Sequence, residues 1–170
     1  MRKRIAAAVI SGATLIATGL TASPASADTG YRPIKFHNGL CFDVPNSNAY
    51  SGAQLQQWTC NSTAAQAWSW HQVDSTHYQI RSALNTNLCL NNWEGGDTTG
   101  NHIALYQCET TPDGLFNFVI TQTATDPVEE LQPQSAWHTC VNGWGGDASG
   151  NQLRLYTCMD ATNEDIGQWG

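Results

Sequence analysis

Basic side chains are scarce in this sequence: 7 Lys and Arg stand against 14 Asp and Glu in 170 residues. Three of the seven, Arg2, Lys3 and Arg4, precede Ala27, and every acidic residue follows it. The remainder carries 4 basic against 14 acidic groups, a formal −10. Neutralising a phosphate backbone takes clustered Lys and Arg, so nucleic acid is excluded as a partner, and anionic membranes with it. The acidity is read as keeping the chain soluble. Long apolar runs are lacking too. The most apolar stretch, Ile5 to Leu20, is broken by Ser11, Gly12 and Gly19 and falls short of the roughly 20 residues of a membrane span, so no membrane anchor is expected.

Chemistry-bearing patterns are equally thin. No cysteine pair has zinc-like spacing, and the histidines His37, His71, His77, His102 and His138 are scattered, so no metal site is expected. There is no Gly-x-Ser-x-Gly nucleophile elbow. Neighbouring carboxylates occur as Glu94 and Asp97, Glu129 and Glu130, and Glu164 and Asp165. Such pairs could hydrolyse a glycosidic bond if held about 5 to 10 Å apart, but charged loop residues are ordinarily solvated surface. The sequence reads as a non-enzyme with no implied cofactor.

What is present begins with Arg2-Lys3-Arg4, the apolar run and Ala25-Ser26-Ala27, the three parts of an export signal in order. Residues 1–27 are expected to be removed, which makes the protein secreted and extracellular. Residues 28–170 are enough for one domain with a real core.

One stretch occurs three times. Cys89 to Cys108 reads CLNNWEGGDTTGNHIALYQC, and Cys140 to Cys158 reads CVNGWGGDASGNQLRLYTC, one residue shorter. Cys41 to Cys60, CFDVPNSNAYSGAQLQQWTC, is a fainter copy that keeps both cysteines, Gly52, Leu55 and Trp58. First cysteines lie 48 and 51 positions apart, second cysteines 48 and 50. A period near fifty marks one supersecondary unit used three times, with repeats at about 28–75, 76–123 and 124–170.

All six cysteines fall in the repeats. With an export signal, disulfides are expected, and the repeat points to pairing within each unit: Cys41 with Cys60, Cys89 with Cys108, Cys140 with Cys158. No thiol is then left as a nucleophile. Segments such as 78–81, 102–108, 116–121 and 152–158 alternate apolar and polar residues between Gly, Asn, Asp and Pro, which predicts an all-β fold. Gln57 replaces the second leucine of the 105 and 155 positions, so the first unit should pack less apolar surface. Gly100-Asn101 and Gly150-Asn151 are read as corners where Gly and Asn tolerate positive φ. Thr121 to Ser135, with Pro127 and Pro133, is read as a longer surface loop.

Cys41-Phe42-Asp43-Val44, then Trp58 two before Cys60, then Gln66-Ala67-Trp68, resembles the ricin B-type lectin family. The resemblance covers the chain after residue 27 and implies a β-trefoil that binds sugars in up to three shallow pockets, much like modules of secreted bacterial glycoside hydrolases. A galactose-type or xylan-type glycan is the partner it implies, and a monomer is expected. Carried over by position, the first pocket uses Asp43, Trp58 and Gln66, with Gln56 beside them, and has Ala65 where the family has Asn. The second has Asn91 for Asp and Tyr106, but Asp113-Gly114-Leu115-Phe116 in place of the Asn-Gln-x-Trp stretch. The third has Asn142, Tyr156 and Asn163, with Glu164 following instead of Gln and Trp169 three positions late.

A sugar's C–H face suits an aromatic ring, and its hydroxyls suit carboxylates and amides. The plainer alternative makes Trp58, Tyr106 and Tyr156 barrel packing and Asp43 a turn residue, and Trp68 is expected in the core. Trp93 and Trp144 depart from the family. Each sits in a Gly-rich loop, where Trp93 with Tyr106, and Trp144 with Tyr156, are read as aromatic platforms, with Asp97 and Asp147 as polar partners; alternatively each Trp caps the barrel and each Asp braces its loop. A protease inhibitor acting through residues 121–135 is the other function class.

Overall fold

The computed structural model describes residues 30–120 and 129–168. The expected signal, residues 121–128 and Trp169 lie outside them. The described residues hold twelve strands, in three groups of four. The first comprises β1 (Lys35–Phe36), β2 (Leu40–Asp43), β3 (Gln56–Thr59) and β4 (Trp68–Gln72); the second β5 (Tyr78–Ser82), β6 (Leu88–Asn92), β7 (Ile103–Gln107) and β8 (Phe116–Ile120); the third β9 (Glu129–Pro133), β10 (Thr139–Gly143), β11 (Leu153–Thr157) and β12 (Asp165–Gln168).

The first and last strands of each group make a barrel. β1 pairs β12, β12 pairs β9, β9 pairs β8, β8 pairs β5 and β5 pairs β4, all antiparallel. Arg32, just before β1, and Trp68, opening β4, exchange backbone hydrogen bonds of 2.9 and 2.8 Å, which closes a six-stranded ring. The middle strands form the hairpins β2–β3, β6–β7 and β10–β11. Six barrel strands capped by three hairpins are the β-trefoil that the resemblance implied. Each repeat carries its own disulfide, Cys41–Cys60, Cys89–Cys108 and Cys140–Cys158, with Cα separations of 5.2, 4.9 and 4.9 Å.

The hairpins interlock cyclically. Gly52 N–H donates to Leu105 C=O, Gly100 N–H to Leu155 C=O and Gly150 N–H to Gln57 C=O, each at 2.8 Å. These glycines hold φ of +95°, +97° and +95°, the left-handed region in which a Cβ is penalised. Asn101 and Asn151 do not share the expected positive φ. Their side chains instead donate to Gly95 C=O (2.8 Å) and Gly146 C=O (3.0 Å) and pin the loops from beneath.

The alternation seen in the sequence places Leu55, Leu105 and Leu155 inside, with Phe42, Leu90 and Val141 from the facing strands and Phe36, Trp68, Ile80, Phe116 and Leu131 from the barrel. Burying each stabilises the fold by about 1.5–3 kcal/mol. Trp68 also donates its Nε1–H to Phe42 C=O at 3.2 Å. The surface-loop expectation for residues 121–135 needs correction, because Glu129–Pro133 is barrel strand β9 with Leu131 fully buried. Its Pro133 closes the strand, a position that needs no ladder donor.

Gln57 does lower the apolar content of the first unit, and the polar group it introduces is completely buried. Its Nε2 donates to Gly146 C=O and Ala148 C=O of the third repeat, and its Oε1 accepts from Asn38 Nδ2 at 3.0 Å. The side chain occupies the space over Gly143, where any Cβ would collide with it. The second repeat has Asn92 at the equivalent of Gly143, and Asn92 Nδ2 donates to Gly96 C=O (2.7 Å) and Ser135 Oγ (3.0 Å). Gln57 of the first repeat therefore does in the third what Asn92 does in the second.

Candidate functional site

Asp43 ends β2 and Trp58 lies on the facing β3, where Asp43 pairs with Gln56 and Cys41 with Trp58. Strand pairing thus sets carboxylate and indole diagonally on one face of the hairpin. Asp43 is only 4% exposed while Trp58 is 42% exposed. One carboxylate oxygen accepts from Gln56 Nε2 at 2.7 Å and the other from Gln66 Nε2 at 3.1 Å. Gln66 itself is buried: it also donates to Thr59 C=O (3.0 Å) and accepts from Asn61 N–H (2.7 Å). It braces Asp43. Each Asp43 oxygen keeps a lone pair, and Asp43 lines a cleft of about 320 Å³ with Gln56, Trp58, Asn61, Thr63 and Ala65.

The far wall of this cleft is the turn Pro45-Asn46-Ser47, in which Asn46 and Ser47 hold φ of +56° and +54°. Sequence reasoning passed over this wall, although Pro-Asn is itself a turn signal. Ala65 is part of the lining, so the position where the family has Asn adds no polar group.

In the third repeat Asn142, Trp144, Tyr156 and Asn163 line one cleft of about 430 Å³, with Gly145, Gly146, Met159 and Ala161. In the second, Tyr106 and Trp93 meet, while Asn91 points to Glu109 Oε1 at 3.4 Å and lies against Gly114. The Trp–Tyr pairs are corners, not flat platforms: centroids stand 5.8 and 6.0 Å apart with planes at 75° and 73°. The four rings are all between 36% and 44% exposed, so one ring can stack a sugar while the other forms a side wall.

These tryptophans have a neighbour the sequence did not reveal. Trp93 packs its edge on Gly52 of the first repeat, Trp144 faces Gly100 of the second, and Trp58 packs on Gly150 of the third. Each aromatic wall is steadied by the glycine turn of the adjoining repeat. The first repeat has Pro45 where the others have Trp, and Trp58 replaces tyrosine and supplies the larger ring. Asp97 and Asp147 brace rather than face a ligand. Asp97 accepts from Thr139 Oγ1 (2.7 Å) and His138 N–H (3.0 Å), and Asp147 from Thr162 Oγ1 and Asn38 Nδ2 (both 3.1 Å). Burial alone would raise the Asp97 carboxyl, but these hydrogen bonds outweigh it and hold the group below its ordinary value.

Beneath the third cleft lies a buried acid. Glu164 is fully buried, and its Oε2 accepts from Met159 N–H at 3.2 Å. Burial, reinforced by the nearby Glu130 carboxylate, pushes it up to about 9. Glu130 and Glu164 approach the Cys140 and Cys158 sulfurs, all four ligand atoms lying within 4.8 Å of one another. The sulfurs are bonded to each other, so no thiolate is available there for a metal.

Residues 21–106 match the family model described as a ricin-type beta-trefoil lectin domain-like. The chain belongs to that family. Among curated proteins it is similar to the ribosome-inactivating protein PMRIPt of Polygonatum multiflorum, 28% identical over 81 residues, 48% of this chain. The match spans only 12% of that relative's length. Among solved structures, the designed threefold-symmetric protein ThreeFoil superposes with a TM-score of 0.69 at 16% identity, over 79% of this chain and 94% of its own. A ricin B-like lectin of Macrolepiota procera, solved with lactose, gives 0.62 at 13% identity, over 85% and 96%. At such identities the likeness shows the ricin-type β-trefoil fold alone.

Proposed function

We propose that this chain is a secreted, non-catalytic carbohydrate-binding protein that holds a glycan chiefly through the first-repeat cleft, with the third-repeat cleft as a second contact. The observation that carries the reading is the Asp43 carboxylate, oriented by two glutamine amides beside the exposed Trp58. A pyranose laid on the indole would place two adjacent hydroxyls against that carboxylate, and charge-assisted hydrogen bonds are the strong ones. Hydroxyl-rich polymers of the galactose or xylan type fit this chemistry, and the lactose complex of the related lectin supports the galactose side. Two modest clefts on one rigid body hold a polymer better than either alone, because the second contact becomes intramolecular.

The test is a glycan array with an insoluble-polysaccharide pull-down, run on the protein and on folded Asp43→Ala and Trp58→Ala variants. Retention on one sugar class, lost in both variants, is the expected result. Absence of binding to every glycan would refute the reading.

A further inference from the structure

Trp137 belongs to none of the repeat clefts, and the repeated motif does not account for it. It lies just before β10, at the position that Asn38 holds in the first repeat and Thr86 in the second. At 75% exposure it is the most exposed large apolar side chain among the described residues. A lone exposed apolar group is ordinary on a protein surface. What sets this one apart is how it is held.

The turn that carries it is pinned on every side. Ser135 N–H donates to Pro112 C=O (3.0 Å), Ala136 N–H to Pro133 C=O (2.9 Å) and His138 N–H to Asp97 Oδ2 (3.0 Å), while His138 C=O accepts from Cys158 N–H (2.9 Å). The indole stacks on the His138 imidazole, with ring centroids 3.8 Å apart and planes inclined at 38°. One face of the indole is thus covered, so its exposure belongs to the other. The imidazole is locked in turn, because its Nδ1 lies 3.0 Å from Asp97 Oδ2. A carboxylate can only accept, so Nδ1 carries the proton and Nε2 is the acceptor of the neutral ring. Nε2 makes no hydrogen bond among the described residues, on a side chain that is itself exposed.

We propose that Trp137 and His138 form a further glycan contact, an open aromatic platform for an extended polysaccharide, separate from the clefts. This inference rests on the carbohydrate reading above. A pyranose lays its C–H face on the open side of the indole, and a hydroxyl at the edge of the sugar donates to His138 Nε2. A protein partner fits less well. Protein hot spots sit inside a rim of contacts that exclude water, whereas along this turn Gln134, Ser135 and His138 are polar and Ala136 is buried. A ring so exposed offers one face and no enclosing wall, which is too little to hold a short sugar alone. A polymer or polysaccharide particle already touching a cleft gains the contact as an intramolecular one. The platform therefore adds to retention on polysaccharide and leaves the affinity for short oligosaccharides unchanged. It serves the second-repeat side, since Asp97 belongs to the loop that carries Trp93.

The test is depletion binding of the protein and its Trp137→Ala and Trp137→Phe variants to insoluble xylan and insoluble galactan, beside calorimetric titration with the matching xylo- and galacto-tetrasaccharides. Trp137→Ala is expected to weaken retention on the polymer roughly tenfold, the value of one aromatic stacking contact. Trp137→Phe should restore most of it. The tetrasaccharide affinity and the urea unfolding midpoint should be the same in all three proteins. Retention unchanged in Trp137→Ala overturns the inference. So does a loss that affects polymer and tetrasaccharide equally, which would make Trp137 part of a cleft. A loss that accompanies dissociation of a dimer in sedimentation also overturns it, because the ring would then belong to a contact between copies. If the parent protein binds polysaccharide and Trp137→Ala binds it equally, the inference fails alone; if the parent binds no glycan, the carbohydrate reading fails with it.

Discussion

Replacing Gln57 by Leu removes three buried side-chain hydrogen bonds yet strands no partner. Gly146 C=O keeps its bond from Asn151 Nδ2 at 3.0 Å, Ala148 C=O keeps one from Asn151 N–H at 3.3 Å, and Asn38 Nδ2 still donates to Asp147 at 3.1 Å. Three bonds at roughly 1 kcal/mol each, partly offset by the leucine's apolar burial, leave a net loss of about 1–2 kcal/mol. Gly143→Asn alone drives a side chain into the Gln57 amide and should cost about 1–3 kcal/mol by overpacking. Together the two changes rebuild the arrangement of the second repeat's loop, in which Leu155 of the third repeat lies over Asn92. The pair should therefore be coupled by about 2 kcal/mol, the double variant being more stable than the Gly143→Asn single. Urea unfolding of the four proteins measures this directly. Additive losses would refute the idea that Gln57 fills the gap left by Gly143. Because Gly146 also lines the third cleft, Gln57→Leu should weaken that cleft while leaving the first intact.

Other expectations follow from the same contacts. Asp43→Asn should weaken binding at the first cleft by roughly 10- to 100-fold, since each charge-assisted hydrogen bond contributes about 1.5–3 kcal/mol; titration with the ligand found on the array checks this, and an unchanged affinity would contradict the role given to the carboxylate. Glu164 carries a folded value of about 9 against an ordinary 4.5, so the folded state binds the extra proton. Its contribution is complete below about pH 4.5 and is lost as pH rises toward 9, with a slope of at most about 1.4 kcal/mol per pH unit. Asp165, raised to about 6 by burial and by Asp160, adds to the lower part of that window. Urea midpoints at pH 5, 7 and 9 should fall steadily, and Glu164→Gln should flatten the trend; a flat profile in the parent protein would count against it. Replacing one cysteine pair by serines opens a loop of 18 or 19 residues and should cost about 3 kcal/mol, read as a lower unfolding midpoint.

Much of this molecule was legible in one dimension. The three cysteine-bounded copies, their period and their alternating leucines determined a threefold all-β fold, the disulfide pairing and the inward face, because strand alternation and a short disulfide loop are local properties of the chain; the trefoil itself came with the family resemblance. Asp43 beside Trp58 was readable for the same reason: both sit on one hairpin. What the sequence left open all lies between distant segments. Trp93 resting on Gly52, Trp58 on Gly150, Asp97 bracing His138 and Gln57 replacing a side chain missing at Gly143 are contacts across 41 to 92 positions, created only when the three hairpins close on one another. Residues 129–133 became a strand because the barrel needed a sixth member, despite two prolines nearby. The burial of Glu164 behind Asn142 belongs to the same class. A sequence can name an acid and an amide, but which one lines the cleft and which is buried is decided by the neighbouring repeats that surround them.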